Sequence, residues 1–316
     1  MPAPLNTSPS EPFPRGDGHW LRCQLHAHTT NSDGDASPGG LCDHYARAGY
    51  DVLAITDHWH VTAHDHDGIL VIPSSELSCA APSPSGEAEA LALGVADLPD
   101  VREPFQDIET MAAWIAAHGG VSFLCHPYWS GLQVTDVLSA PSLDGIEVWN
   151  GASELTQGNG LSTVHWDDAL QRGRLLPGIA TDDCHYAGQD SNLGWTWVFA
   201  AERTPGDILA ALRSGRSYGS AGPRLLGVEA DGDAVEVRCS PARAVRLRSG
   251  AWDGCGVNAD PLAGQWRGQV LARDERGLIT AARFEHPEEW PWGRVEVEDE
   301  GGRRAWGNPF AIAGSS

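Results

Sequence analysis

Two histidines lie one residue apart in the segment QLHAHTTNSDG, which spans residues 24–34. In a β-strand, residues two apart project to the same side, so His26 and His28 could bind one metal ion together. Asp33 adds a carboxylate within the same segment. By itself such a pair is weak evidence, because most strand histidines are structural. It becomes a candidate metal site only if further ligands come close in space.

Such ligands recur where later strand-like runs end. The runs DVLAITDH (51–58), ILVIPSSELS (69–78), VSFLCHP (121–127) and LLPGIATDDCH (175–185) are predicted strands. They contain the candidate residues Asp57, His58, Glu76, His126, Asp183 and His185. In a barrel of parallel strands the carboxyl ends share one face, where the sites of α/β enzymes are built. We therefore expect these side chains to converge with the first segment.

The donor types indicate which cations would bind. Carboxylates and imidazoles without a thiolate favour Mn²⁺, Fe²⁺ or Zn²⁺. The candidate ligands are more numerous than one ion needs, so we expect two or three ions, with Glu76 as a candidate bridge. Bound cations of this kind acidify water to a pKa of about 7 and polarise the group under attack.

The same runs predict the fold class. Strands alternate with helices such as those expected after Ser37 and Thr204, each of which precedes a proline as an N-cap residue does. This alternation indicates an α/β protein with a largely parallel sheet, closed into a regular or distorted barrel. After residue 220, apolar and polar residues alternate around Gly and Asp turns, which is typical of antiparallel hairpins.

We accordingly predict three regions. Residues 1–18 are polar and rich in proline and are expected to form a disordered leader without the apolar centre of a signal peptide. Residues 19–220 form the metal-binding domain, and residues 221–316 form a small β-sandwich-like domain. Trp290, Trp292 and Trp306 are expected in the core of that region rather than on a binding surface.

Composition excludes several classes of function. The formal net charge is −22, and all 21 basic residues are arginine. Without lysine there is no Walker A phosphate clamp and no Schiff-base chemistry. The acidic balance argues against a nucleic-acid partner, since duplex binding relies on basic groups. The seven cysteines form no CxxC pair, and no run of 18 apolar residues occurs. We therefore expect a reduced, cytoplasmic protein with a small-molecule substrate and no membrane or nucleic-acid partner.

Five motifs in this order resemble the PHP (polymerase and histidinol phosphatase) family over about residues 19–220: QLHAHTTNSDG, AITDH, SSELS, CHP and TDDCH. The resemblance implies a distorted (βα)7 barrel with a centre of two or three metals, and phosphoesterase activity. The implied metal ligands are His26, His28, Asp33, His58, Glu76, His126, Asp183 and His185. The trailing β region resembles the stand-alone hydrolases of the family, which also include carbamate and ester hydrolases.

One position departs from the family pattern. Relatives commonly carry another ligand histidine before an LG pair in the strand after the glutamate motif, whereas GEAEALALGV has Glu89 at about that place. Glu89 either replaces the histidine as a ligand or faces water beside Glu87. Asp57, Asp183 and His185 are the candidates for proton handling. His60 and Arg216 are the candidates for substrate contact, although Arg216 also fits a helix C-terminal cation.

Three functions remain open on the sequence. The first is a phosphoesterase acting on a small phosphate monoester or diester through a metal-activated hydroxide. The second is a carboxylic ester or carbamate hydrolase that uses the same cluster on a carbonyl group. The third is a non-catalytic metal-binding protein. The sequence does not indicate an oligomeric state.

Overall fold

The computed structural model describes residues 11–99, 105–250, 252–286 and 290–312. Its helices are α1 (Pro38–Arg47), α2 (Ile108–Ala117), α3 (Val134–Leu138), α4 (Gly151–Gln157), α5 (Thr163–Gln171) and α6 (Pro205–Arg213). Its strands are β1 (His19–Gln24), β2 (Val52–Ile55), β3 (Leu70–Ala80), β4 (Glu87–Leu93), β5 (Val121–Leu124), β6 (Gly145–Asn150), β7 (Gly178–Thr181), β8 (Trp195–Ala200), β9 (Ser217–Ser220), β10 (Leu225–Asp231), β11 (Ala234–Ala242), β12 (Ala244–Arg248), β13 (Gly254–Asn258), β14 (Gln265–Trp266), β15 (Gly268–Arg273), β16 (Ile279–Glu285), β17 (Trp292–Glu298), β18 (Arg304–Gly307) and β19 (Phe310–Ala311). The predicted α/β class is confirmed.

Two helices begin at the residues that the sequence indicated. The Ser37 hydroxyl accepts a hydrogen bond from the Gly40 N–H at the start of α1, and Thr204 accepts one from the Asp207 N–H at the start of α6. In both helices a proline occupies the first turn, where its missing N–H costs no hydrogen bond. None of the described helices is long and apolar enough to cross a membrane.

The strands up to β9 follow the path β9-β8-β1-β2-β3-β4-β5-β6-β7 in one sheet. Strands β1, β2 and β3 run parallel, as do β5, β6 and β7, whereas β4 runs antiparallel to both of its neighbours. The segment after β7 is hydrogen-bonded to the segment after β1. There the Asp183 N–H donates to the His26 carbonyl (3.0 Å) and the His28 N–H donates to the Cys184 carbonyl (2.8 Å). The ends of β1 and β7 are thereby joined at one place.

A distorted (βα)7 barrel is not confirmed. Strands β3 and β4 form an antiparallel hairpin instead of a crossover, with Ser74 paired to Leu93 and Ala80 to Glu87. The connection between them, residues 81–86, is too short for a helix and contains prolines and a glycine, which favour a turn. The described residues between β2 and β3 and between β7 and β8 also contain no helix.

The interior of the first region is apolar and continuous. One buried cluster joins alternate residues of β1 to β5 with residues of β7, β8 and α6, including Leu21, Val52, Phe123 and Leu212. A second cluster lies under α2, α3 and α5 and is centred on residues such as Trp166. Burial of this amount of apolar surface stabilises the strand ends that carry the polar residues.

The strands after residue 221 pair antiparallel wherever a pairing is described. Strands β10, β11, β16 and β15 form one sheet, and its inner face packs with β12, β13 and β17 around Phe284 and Val297. The second layer continues the large sheet, because β18 pairs with β9. Trp290, Trp292 and Trp306 are buried, as expected. The boundary near residue 221 stays a prediction.

Part of the predicted leader, residues 1–10, lies outside the described residues. Residues 11–18 lead into β1. Within them the Phe13 ring packs at 4.9 Å from the ring of Trp20 and at 6.4 Å from that of Tyr218.

Asn308 connects the C-terminal strands to the first region. Its side chain is buried, its Oδ1 accepts from the Gly178 N–H (2.7 Å), and its Nδ2 donates to the Gly215 and Ser217 carbonyls (3.3 and 3.0 Å). We expect Asn308→Ala to lower the free energy of unfolding by about 2–4 kcal/mol, because buried backbone groups lose their partners. Urea unfolding measures this loss.

The matched control is Asn258→Ala, since Asn258 makes one long bond to the Gly264 carbonyl near the surface (3.3 Å). That variant should stay within about 0.5 kcal/mol of the wild type. Equal unfolding midpoints for the two variants would show that Asn308 does not connect the regions as described.

Candidate metal centre

A cage of four polar side chains lies just after the ends of β1 and β7, beside the middle of β3. The Nε2 atoms of His26 and His28 lie 3.1 and 3.3 Å from Glu76 Oε2. The same two nitrogens lie 3.1 and 3.2 Å from Asp183 Oδ1. All four side chains are buried or nearly so. Two imidazoles and two carboxylates therefore face one another across a common point.

The cage atoms lack ordinary hydrogen-bond partners. Among the described residues, buried side-chain atoms without a hydrogen bond include His26 Nε2, His28 Nε2, Glu76 Oε1 and Asp183 Oδ1. An unsatisfied buried polar atom costs about 1–3 kcal/mol, and more if it is charged. A divalent cation at the common point would satisfy nitrogen lone pairs and carboxylate oxygens at once. The residues present thus fit a metal ion.

Further groups of possible ligands share Glu76 and extend outward. The Glu76 carboxylate lies 3.4 Å from both His58 Nδ1 and His126 Nε2. The same two nitrogens lie 3.8 and 3.7 Å from the carboxylate of Glu89. Glu89 therefore points toward the cluster and not to water beside Glu87.

A last group lies at the surface. Asp33 Oδ2 lies 3.6 Å from His58 Nε2 and 3.5 Å from His185 Nε2. The Asp33 side chain is 54% exposed, whereas that of Glu76 is 1% exposed. The cluster thus grades from a buried cage to an open mouth, and a cleft of about 250 Å³ lies over it.

The structure brings together every residue predicted as a metal ligand. They fall in overlapping groups whose possible ligand atoms lie within 4.8 Å of one another. These residues are His26, His28, Asp33, His58, Glu76, Glu89, His126, Asp183 and His185.

The buried charges shift one another's pKa values. Burial by itself lowers the pKa of His28, but the close carboxylates of Asp183 and Glu76 outweigh it and raise the pKa to about 9. Burial also lowers the pKa of His126, but the nearby carboxylates of Glu76 and Asp183 outweigh this effect and raise the pKa to about 9. Burial and the charge of Glu76 raise the pKa of Glu89 to about 8. Protons on these groups would offset part of the negative charge of the cluster, and a bound cation would displace them.

Two of the predicted ligands have a left-handed backbone. The φ angle is 26° at His126 and 57° at Asp183, a region that costs non-glycine residues about 1–3 kcal/mol. Each follows a short buried strand and turns the chain out of the sheet. The Asp183 N–H is held by the His26 carbonyl, and the His126 N–H is held by the Glu147 carboxylate at 2.8 Å. The strained backbone positions are thus those of two residues whose side chains belong to the cluster.

Glu147 on β6 was not predicted from the sequence as a site residue. It supports both His26 of the cage and the neighbouring ligand candidate His126. Its Oε1 accepts from His26 Nδ1 (2.8 Å) and from the Thr181 hydroxyl (2.7 Å). Its Oε2 accepts from the His126 N–H and from Asn150 Nδ2 (3.1 Å). Hydrogen bonds of this kind orient an imidazole and raise its basicity as a ligand. The available signal was a glutamate inside the apolar strand GIEVWN.

Asp57 has a different position from the one predicted. It belongs to none of the described groups of ligand atoms and does not line the cleft. Its buried carboxylate accepts from the Thr29 N–H (2.6 Å) and from the hydroxyls of Thr29, Ser32 and Thr62. With its acceptor sites occupied, Asp57 shapes the loop that carries His28.

Gly34 belongs to the same loop. A Cβ atom at Gly34 would lie 2.3 Å from the His28 carbonyl oxygen, which explains the glycine of the SDG sequence. The loop between His28 and Asp33 is thus packed against its own backbone.

The two candidates for substrate contact are also placed elsewhere. His60 is not among the described residues that line the cleft. Arg216 precedes β9, and its carbonyl accepts from the Phe199 N–H, while Phe199 pairs with Trp20 at the start of β1. The cluster follows the other end of β1, so Arg216 lies at the opposite end of the strands from the cluster. Its guanidinium lies 5.1 Å from the Phe199 ring.

No protein-family model and no curated protein matches this chain. Among solved structures, it is similar to a two-domain protein from Bacteroides vulgatus that contains a predicted PHP-like metal-dependent phosphoesterase. The TM-score is 0.52 at 19% identity, over 97% of this chain and 98% of that one. The chain thus shares the fold of that two-domain structure over nearly its whole length.

Two further structures are similar over part of the chain. One is an amidohydrolase from Chromobacterium violaceum, with TM-score 0.41 and 17% identity over 53% of this chain and 89% of that one. The other is described as a metal-dependent phosphoesterase from Bifidobacterium adolescentis, with TM-score 0.40 and 16% identity over 53% and 88%. At these TM-scores only the first structure supports the fold.

We expect Glu147→Gln to weaken metal binding about 10- to 100-fold, because the amide loses the charge that orients His26. A competition titration with a chromophoric Zn²⁺ indicator measures the affinity, and circular dichroism checks the fold. Glu236→Gln is the control, since Glu236 forms a surface ion pair with Arg283 (2.7 Å). Wild-type affinity in Glu147→Gln would contradict the supporting role of Glu147.

Proposed function

We propose that this protein is a metal-dependent hydrolase that acts on small-molecule phosphate monoesters or diesters. The observation that carries the proposal is the convergence of buried, unpartnered imidazole and carboxylate atoms at the strand ends. Such a cage is expensive without a cation and has no evident structural purpose in an apolar core. A cleft open to solvent lies directly over it, where a substrate can enter.

The donor set suits two or three divalent cations such as Mn²⁺, Fe²⁺ or Zn²⁺. His26, His28, Glu76 and Asp183 would hold the buried ion. Glu76 also belongs to the group with His58 and Glu89, whereas the group that contains Asp33 is linked through His28 and His58. Cys125 lies near two of these groups, but burial raises the pKa of its thiol well above the usual value. A protonated thiol is a poor ligand, so hard and borderline donors dominate.

Bound cations would acidify a water molecule and polarise the group that is attacked. The chain's own residues position these events. Glu147 and Asn150 keep the cage side chains in place through hydrogen bonds to His26 and Asp183. His185 is a quarter exposed at the mouth, and its Nδ1 is hydrogen-bonded to the Asp183 carbonyl at 2.9 Å. His185 lines the cleft together with His58 and Asp33, so solvent or substrate can reach these three side chains directly.

The neighbour from Bacteroides vulgatus contains a predicted phosphoesterase, which favours phosphate esters as substrates. A second candidate is a carboxylic ester or carbamate hydrolase. It is favoured by the absence of arginine from the described lining of the cleft, since nothing but cations and imidazoles would balance a phosphate's charge. The two candidates share the cluster and differ in the atom attacked.

A substrate panel separates them. We expect the Mn²⁺-loaded protein to hydrolyse p-nitrophenyl phosphate, bis-p-nitrophenyl phosphate or nucleotides faster than p-nitrophenyl acetate or an aryl carbamate. Asp183→Asn should reduce turnover of the best substrate at least about 100-fold, because a charged cage ligand is lost while the shape is kept. Metal analysis and circular dichroism accompany the kinetics.

Asp168→Asn is the control for this substitution, since Asp168 forms an exposed pair with Arg172 (3.1 Å). Exhaustive chelation should abolish turnover and added Mn²⁺ or Zn²⁺ should restore it. Full activity after verified metal depletion, or a wild-type rate in Asp183→Asn, would disprove the proposal. Preference for the acetate or the carbamate would select the second candidate.

Glu89 is proposed as the ligand that replaces the family's histidine. We expect Glu89→Ala to lose about one ion per chain, because its carboxylate bridges the His58 and His126 side of the cluster, and Glu89→His to keep it. Plasma mass spectrometry after dialysis measures the metal content. Glu87→Ala, on the same strand but exposed, is the control. Unchanged stoichiometry in Glu89→Ala would remove Glu89 from the ligand set.

A further inference from the structure

The cleft over the cluster has one aromatic wall. Of its eight lining residues, seven are Asp, Glu or His residues of the cluster, and the eighth is Trp129. The chain has no lysine, and no described arginine lines the cleft. The seven polar side chains would be engaged with cations and with the reacting group. Trp129 is therefore the described lining side chain that remains to meet the rest of a substrate.

The backbone around Trp129 is held in a turn. After β5, the Ser130 N–H donates to the His126 carbonyl and the Leu132 N–H donates to the Pro127 carbonyl, each at 3.0 Å. The Trp129 ring meets the His126 ring at 4.9 Å between centroids with an interplanar angle of 72°. This contact covers only part of the indole, because Trp129 remains 41% exposed. A large apolar ring is thus presented at the rim of a charged cleft.

The distances place this ring within reach of a reacting ester. His126, which the ring touches, has its Nε2 atom 3.4 Å from Glu76 and 3.7 Å from Glu89. A cleft of about 250 Å³ is smaller than the roughly 300–1,000 Å³ of sites that enclose a whole ligand. It can hold a phosphoryl group, while the organic part extends over the rim. A ring two or three bonds from the ester oxygen would then lie against Trp129.

An exposed indole discriminates by shape and by π-system. Stacking of two aromatic rings contributes about 0.5–1.5 kcal/mol beyond the area that they bury. A saturated ring of similar size buries comparable area but cannot stack face to face. The contact therefore favours planar groups over equally large non-planar ones.

We propose, resting on the proposed hydrolase function, that Trp129 is a specificity-determining residue that stacks on a planar aromatic ring in the organic part of the substrate. The substrate class is then small-molecule phosphate esters whose alcohol carries such a ring close to the ester oxygen. Simple aliphatic phosphates would be poorer substrates. Trp129 takes no part in bond breaking.

The test compares two esters with similarly reactive leaving groups, 2-phenylethyl phosphate and 2-cyclohexylethyl phosphate, on the Mn²⁺-loaded full chain. We expect the wild type to prefer the phenyl ester about 3- to 10-fold in kcat/KM. In Trp129→Ala the ratio should fall close to one, and in Trp129→Phe it should be partly kept. Trp252→Ala is the control, since Trp252 is 89% exposed and lies after residue 221. A ratio that persists in Trp129→Ala overturns the inference.

A binding measurement separates this inference from the proposed function. Isothermal titration calorimetry of the Mn²⁺-loaded protein with 2-phenylethylphosphonate and 2-cyclohexylethylphosphonate should show the same preference, and Trp129→Ala should lose it. If neither ester is hydrolysed but the phosphonates still discriminate through Trp129, the hydrolase proposal fails and the stacking role stands. If the esters are hydrolysed and the two phosphonates bind equally well, the hydrolase stands and the stacking role is overturned.

Discussion

The burial of several carboxylates side by side is the constraint on which the rest of the structure depends. Glu76, Glu147 and Asp183 lie within a few ångströms of the same histidine, His26, and Glu76 and Glu147 are almost wholly removed from water. Each buried ion costs several kcal/mol unless opposite charge compensates it. Protons on the imidazoles can supply that charge, and divalent cations can supply more of it. The fold must therefore keep opposite charge, from protons or from cations, next to these carboxylates.

The backbone bears part of this cost. Left-handed φ values at His126 and Asp183 persist because the N–H groups of these residues donate hydrogen bonds to Glu147 and to the segment after β1. Gly34 allows the loop after His28 to fold tightly against its own backbone. The site thus rests on buried strand ends, while its outer residues, such as Asp33, remain open to solvent. A rigid interior and an accessible mouth are what a hydrolytic centre needs.

The C-terminal strands support the same centre from outside. Trp306 on β18 stacks on Trp149 of β6 with 5.5 Å between ring centroids, and β6 also carries Glu147. Arg294, which is buried, forms a bidentate pair with Asp167 on α5 at 2.6 and 2.9 Å. Removal of either partner of such a buried pair would leave an uncompensated charge. The added strands therefore brace the strand that orients the cage.

The local features of this protein follow from its sequence. The one-apart spacing of His26 and His28 places them on one side of the chain, and N-caps such as Ser37 define where helices begin. These features depend on neighbours within a few residues, so pattern and propensity suffice to predict them. The order of the motifs also indicated which distant residues would meet, through the rule that parallel strands share a face.

Tertiary structure determined which of the candidate residues belong to the site and which additional residue supports it. Glu147 looks like any lone charge in an apolar strand until His26 and His126 are seen against it, 121 and 21 residues away. Arg216 has a suitable charge, but its pairing with β8 places it at the end of the strands opposite the cluster. Asp57 has a ligand's chemistry, yet its oxygens are occupied by neighbouring hydroxyls. A sequence specifies which polar groups are available. Long-range packing and strand register determine which of these groups remain unpaired and are therefore free to bind a cation.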